Sequence, residues 1–183
     1  MKSEFLEAPY SRQVVGWSMQ PHMQTSLVTD ALRMAWFRRK PEAGLIFHSD
    51  RGSQYCSHAF QQALAEHGMQ SSMPQREAIH YATNRMWSCH SRKGNCWENE
   101  VSVKANARSA LCRNYNAPTE SLWGSLKVGR LYGMRFETRR QAMDEVIDWL
   151  TYYNHRRLHS TLGYISPMQF EQNWFAAQLK NAA

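Results

Sequence analysis

Residues 45–53 read LIFHSDRGS, and this stretch decides the fold. Its first part, Leu45-Ile46-Phe47, is a compact apolar run, which predicts a strand that is buried on both faces of a sheet. The polar residues up to Ser53 predict a turn at the carboxyl end of that strand. Because a sheet buried on both faces must be covered by helices, we expect helices before and after this stretch.

Helices and strands alternate around it as expected. Apolar residues recur at helical spacing before Pro41, where a helix must stop, and again before Gly68, which suits the position after a helix end. The alternation predicts an α/β fold with a sheet flanked by helices. The predicted elements are a strand at 12–18, a helix at 25–40, a strand at 45–47, a helix at 57–67 and a strand at 69–73.

The later part of the chain divides into an irregular region and a helical one. Residues 74–115 lack apolar periodicity, whereas Asn116 and Pro118 favour the start of a helix. Thr138 and Gln141 form a capping box for a long helix, and an amphipathic helix is predicted over 168–179. We therefore divide the chain into 11–73, an irregular inserted region at 74–115, and 116–183.

Asp50 is the first candidate functional residue. It follows directly after the predicted strand at 45–47, and ligand sites in α/β sheets lie beyond the carboxyl ends of the strands. An aspartate before Arg-Gly also suits an ordinary turn, which is the simpler interpretation of this residue taken alone.

The composition points to a globular, basic protein. Of 183 residues, 43% are hydrophobic and 20% are charged, which argues against a disordered chain. The net charge of +7, most of it after residue 73, favours a polyanionic partner, although a basic protein without such a partner has the same composition. The sequence contains neither a long apolar run nor a recognisable export signal, so we expect a protein of the cytoplasm with reduced thiols.

The cysteines are also candidate zinc ligands. Cys89, His90, Cys96 and Cys112 lie in the irregular region. Their spacing does not match the paired arrangement of structural zinc sites, so this interpretation is weak.

Three sets of motifs, in the same order, resemble those of the bacterial insertion-sequence transposases of the insertion-sequence-three family. They are FHSDRGSQY at 47–55, NAPTES at 116–121 with Leu-Lys at 126–127, and YNHRRLH at 153–159 with LGY at 162–164. The resemblance implies a ribonuclease H-like integrase core, here with an incomplete mixed sheet flanked by helices and with C-terminal helices. It also implies DNA transposition and integration in a bacterial cytoplasm.

The resemblance further implies a metal site and a partner. Asp50 and Glu120 match two of the three carboxylates that hold two Mg²⁺ or Mn²⁺ ions, so we expect these two residues to meet despite the long stretch between them. DNA, as transposon ends and target, is the implied partner, and the active form is implied to be a homo-oligomer. The implied DNA-binding residues are Lys127, Arg156, Arg157 and His159.

Two departures from the family pattern favour an alternative, a catalytically inactive DNA-binding remnant. Ala8 stands where the register of the family's motif places the first carboxylate, and Glu7 is one residue off, which directs it to the opposite face of a strand. The central strand before it is expected to be reduced to residues 1–7. The second departure is two apparent inserts, at 74–90 and 98–114, within the region between Asp50 and Glu120.

Overall fold

The computed structural model describes residues 1–49, 52–72 and 118–181 with their side chains and residues 86–89 as backbone. Its strands are β1 (Lys2–Ala8), β2 (Gln13–Gln20), β3 (Ile46–His48), β4 (Gln70–Ser72) and β5 (Met86–Cys89). Its helices are α1 (Thr25–Arg39), α2 (His58–Glu66), α3 (118–126), α4 (Arg139–His155) and α5 (Pro167–Asn181). A π-helical turn, Lys127–Leu131, continues α3, and a 3₁₀ turn, Ser160–Leu162, precedes α5.

The predicted α/β fold is confirmed, and local sequence signals explain most element ends. Thr138 and Gln141 form the expected capping box at the start of α4. Gly68 follows the end of α2 with a φ of 65°, a left-handed conformation that glycine adopts readily. α1 starts at Thr25, where its helix was predicted to start, and its N-cap residue Gln24 makes no side-chain capping bond.

The sheet is mixed and has the strand order β2-β1-β5-β3-β4. β1 pairs antiparallel with β2 and β5, whereas β3 pairs parallel with β4 and β5. The central strand is therefore β5, which lies inside the region predicted to be irregular. That prediction is wrong for residues 86–89, and the rest of 74–115 lies outside the described residues.

The strand expected at residues 1–7 is present as β1, but it is not the central strand. β1 has seven residues, all paired with β2, and it occupies the second position in the sheet rather than the centre. Its pairing is interrupted by a bulge between Leu6 and Glu7. The strand is buried over Glu4–Glu7, and its apolar residues Phe5 and Leu6 provide the buried surface that stabilises it.

The two faces of the sheet carry separate apolar clusters. On one face, Leu6 and Phe47 pack with side chains of α1 and α2, and the partly buried Ala8 packs against the same cluster. On the other face, Phe5 and Val14 pack with α3 and α4. We call these the first face and the second face. The buried residues from α3 and α4 on the second face are Leu122, Leu126, Val146, Trp149, Leu150 and Tyr153.

Gly16 allows α1 to lie close to the sheet, and its replacement is expected to destabilise the protein. A Cβ at this position would stand 2.4 Å from the Ala31 carbonyl oxygen and 2.8 Å from the Ala35 Cβ, so the helix would have to move. We expect Gly16→Ala to lower the free energy of unfolding by about 1–3 kcal/mol, measured by urea denaturation.

Gly124 in α3 supplies the matched control for this prediction. A Cβ there meets no other atom of the described residues within 4 Å, so Gly124→Ala is expected to be neutral or to stabilise the helix by about 0.5–1 kcal/mol. Equal stability of the two variants would contradict the close-packing argument.

Candidate active site

The carboxyl end of β3 leads towards the first candidate residue. His48 and Ser49 are buried there, and the Ser49 backbone N–H donates to the Ser72 carbonyl oxygen at 3.3 Å. Burial lowers the pKa of His48, which fits a structural histidine. Asp50 itself lies outside the described residues, so its proximity to Glu120 stays a prediction.

Glu120 lies in the first described turn of α3 and its side chain is exposed to solvent. Its neighbours Thr119 and Leu122 are fully buried against the second face. A helix held by its buried residues thus presents one carboxylate to solvent. This is the arrangement that the motif predicted for a ligand on a helix.

A buried carboxyl lies beneath this helix, on the second face of β1. Glu7 has no exposed surface, and burial raises its pKa to about 8, opposed by the Arg12 charge and the Thr119 side chain. The nearest guanidinium nitrogen of Arg12 is 3.8 Å from its carboxylate. Within the described residues, neither oxygen makes a hydrogen bond of full geometry, so the Thr119 contact is a close approach rather than an ideal bond.

Ala8 and Glu7 lie on opposite faces of β1, as the strand periodicity predicts. Ala8 packs on the first face, away from α3, whereas Glu7 meets Thr119 on the second face. The assignment of the first-carboxylate position to Ala8 is therefore corrected, because a side chain at residue 8 does not face the helix that carries Glu120.

The four residues predicted to bind DNA fall into two pairs. Lys127 and Arg156 are exposed, Lys127 at the start of the π-helical turn and Arg156 at the end of α4. Arg157 and His159 instead pack on Tyr153, the guanidinium at 5.8 Å and the imidazole at 5.0 Å from its ring centroid. Burial, followed by nearby arginine charge, lowers the pKa of His159 to about 4.

The acidic side chains of α4 form surface ion pairs. Arg130 in the π-helical turn pairs with Glu145 and, at 2.6 Å, with Asp148. Arg140 pairs with Asp144 at 3.0 Å. The Arg130 pairs join the π-helical turn to α4, whereas the Arg140 pair lies within α4.

Asn154 is a structural residue that the sequence did not reveal. Its side-chain oxygen accepts from the Val14 N–H at 2.9 Å, and its amide donates to the Val14 carbonyl at 3.0 Å. Since β2 is an edge strand, this amide takes the place of a further strand partner. The only hint in the sequence is that Asn154 belongs to the YNHRRLH motif.

In residues 1–49, 52–72 and 118–181, no three His, Cys, Asp or Glu side chains are grouped closely enough to hold a metal ion. Cys89, His90, Cys96 and Cys112 lie outside the residues described with side chains, so the zinc interpretation is not tested. Among the helices of the described ranges, none is both long and apolar enough to cross a membrane.

Comparison with known proteins identifies the family to which this architecture belongs. Two models of the integrase core domain match the chain, at residues 9–77 and 120–175. The chain belongs to the integrase core family. The two matched ranges contain Asp50 and Glu120, and they leave residues 78–119 between them.

Curated relatives of this integrase core chain are insertion-sequence proteins. It is 37% identical over 164 residues to the transposase for insertion sequence element IS904 of Lactococcus lactis, covering 89% of the chain and 51% of that protein. It is 36% identical over 163 residues to transposase InsF for insertion sequence IS3A of Escherichia coli, covering 88% of the chain and 45% of that protein. The chain thus spans about half the length of the curated relatives it matches.

A solved structure with the same fold is the catalytic core domain of BIV integrase. The two are 14% identical with a TM-score of 0.54, covering 97% of this chain and 89% of the other. The predicted ribonuclease H-like integrase fold is thereby confirmed.

Proposed function

We propose that this chain acts on DNA as the integrase-core part of an insertion-sequence transposase. The observation that carries the proposal is the placement of Glu120, an exposed carboxylate on a helix that is packed on the sheet of an integrase core. The transposase relatives and the basic charge of +7 support DNA as the substrate.

In this proposal, Asp50 and Glu120 are ligands for Mg²⁺ or Mn²⁺, which are hard cations that prefer carboxylate oxygens. Two such ions would activate the attacking oxygen and stabilise the leaving oxygen of a phosphodiester. Lys127 lies on the α3 side of the site, and its exposed ammonium is available to a phosphate. The described residues supply Glu120 alone to this centre, so they do not make up a complete metal site.

A second proposal follows from the sheet: the chain as it stands binds DNA without joining it. The central strand β5 has the sequence Met-Trp-Ser-Cys and carries no carboxylate. Of the two acidic residues on β1, Glu7 is buried under Thr119, and Glu4 is buried and accepts a hydrogen bond from the Tyr55 hydroxyl at 2.6 Å. The described strands therefore offer no accessible third ligand.

A strand-transfer assay with Mg²⁺ or Mn²⁺ and labelled DNA ends tests both proposals. We expect no joining above background, even though the chain binds the same DNA. Joining that depends on Mg²⁺ and is abolished by Asp50→Ala would overturn the second proposal and support the first in full. Absence of DNA binding by the unmodified chain at low salt would contradict both proposals.

Ala8→Asp is expected not to restore joining, because residue 8 faces the first face of the sheet, away from α3. The new carboxylate would be placed against the apolar cluster around Leu6 and Leu45, so the variant is expected to be less stable by about 1–3 kcal/mol. The assays are strand transfer and urea denaturation. Restored joining at unchanged stability would show that residue 8 reaches the metal site after all.

A further inference from the structure

The second face of β1 and the buried side of α3 match in spacing. Phe5 stacks on Trp123, with ring centroids 4.4 Å apart and planes inclined by 20°, and Glu7 meets Thr119. Residues two apart on a strand are separated by about 6.7 Å, and residues four apart on a helix by about 6 Å along the axis. Two contacts, one apolar and one polar, thus join the strand and the helix at matching intervals.

The two contacts have different physical consequences. The apolar contact of Phe5 with Trp123 is not directional, so a small slide of the helix would preserve much of the buried area. The polar contact is directional, because a slide would leave the Glu7 carboxyl in an apolar cluster without Thr119 beside it. The polar contact therefore adds a position-dependent contribution to the apolar packing of α3.

The Glu7 side chain is itself fixed from the other side. After β1 the backbone turns sharply, and the N–H groups of Ser11 and Arg12 both donate to the Ala8 carbonyl oxygen. Arg12 has a φ of 61°, an unusual conformation for a residue other than glycine, and its guanidinium comes back to Glu7. The carboxyl is held between Arg12 and Thr119, and Thr119 immediately precedes Glu120.

We propose that the contact between Glu7 and Thr119 fixes the position of α3 on the sheet, so that Glu7 is a positioning residue for Glu120. The proposal rests on the proposed function of Glu120 as a metal ligand. It assigns a role to a buried acidic residue that contributes no ligand of its own. The role requires a polar group of this length at residue 7 and a hydroxyl at residue 119.

Hydrogen exchange of the α3 amides, followed by mass spectrometry of the full chain, tests the positioning role. Thr119→Val removes the hydroxyl at nearly constant volume and is expected to speed exchange in 118–126 roughly threefold to tenfold relative to α2, because the buried Glu7 carboxyl loses the polar group beside it. Glu7→Leu is expected to do the same, whereas Glu7→Gln, which keeps a polar group of the same length, is expected to preserve protection. Tyr55→Phe is the matched control, because it removes a buried hydroxyl that bonds Glu4 on the first face.

A second measurement separates this inference from the proposed function. Mn²⁺ binding to the same variants is expected to weaken in Thr119→Val but not in Tyr55→Phe. If the unmodified chain binds no Mn²⁺, the metal role of Glu120 fails while exchange still decides the positioning role. Unchanged exchange in 118–126 for both Thr119→Val and Glu7→Leu would overturn the inference, as would equal losses in Tyr55→Phe.

Discussion

The DNA affinity of this chain is expected to fall about tenfold between 50 and 200 mM salt. Two phosphate contacts, one for each of the exposed cations Lys127 and Arg156, release counterions with a slope near −0.9 per contact, and the fourfold rise in salt then gives this factor. Titration of a labelled duplex by fluorescence anisotropy at several salt concentrations measures the slope directly.

The structure predicts which cations contribute to that slope. Lys127 and Arg156 are exposed, so Lys127→Gln and Arg156→Gln are each expected to reduce the slope by about 0.9. Arg157→Gln is expected to act mainly on stability, because the Arg157 guanidinium packs on Tyr153. Arg33→Gln is the matched control, since Arg33 is an exposed cation of α1 on the other side of the sheet. Equal effects of Arg33→Gln and Lys127→Gln would indicate non-specific attraction rather than a DNA-binding side.

The helices were predictable because their signals are local. The capping box of Thr138 and Gln141, the left-handed Gly68 and the apolar stripe of α4 all depend on residues within one or two turns. The strand at 45–47 was predictable for a related reason, since a short apolar run has few alternatives. The observed ends of the elements differ from the predicted ends by one or two residues. For example, β3 covers Ile46–His48, whereas the strand was predicted at 45–47.

β5 was not predictable in the same way. Its four residues have no alternation to recognise, and its pairing partners, β1 and β3, lie far away in sequence. A strand of this length is stabilised by its neighbours rather than by its own propensity. β5 is central because it lies between β1 and β3 and pairs with both. No local sequence pattern reveals this pairing.

In the candidate site too, the features with local sequence signals were predictable and the contacts between distant residues were not. The motifs placed Glu120 on a helix and Lys127 on its exposed surface, which the structure reproduces. They did not show that Arg157 and His159 pack on Tyr153, or that Asn154 bonds the edge of β2, because these contacts join residues distant in sequence. Glu7 was missed for a different reason, since an acidic residue on a strand is expected at the surface.

The buried Glu7 carboxyl is expected to make stability fall as pH rises. Burial raises its pKa from 4.5 to about 8, so the folded state holds a proton that the unfolded chain releases at lower pH. The stabilisation is complete below pH 4.5 and is lost as the pH rises to about 8. Glu7→Gln mimics the neutral acid, and we expect it to match the unmodified chain at pH 5 and to exceed it by about 4 kcal/mol at pH 9.

Other titratable groups near Glu7 either titrate outside pH 5–9 or contribute equally to both proteins. Their contributions therefore cancel from the difference in unfolding free energy. His159, with a pKa lowered to about 4, adds stability as the pH rises from 4 to 6.5, which opposes the Glu7 trend in the absolute curve. The pKa of Tyr153 is raised by burial, then by the Glu7 charge. The difference between the urea-unfolding free energies of Glu7→Gln and the unmodified chain therefore isolates Glu7. Glu66→Gln, at an exposed glutamate on α2, is the control for replacing a carboxylate by an amide. A flat difference curve for Glu7→Gln would mean that Glu7 is ionised and solvated in the folded protein.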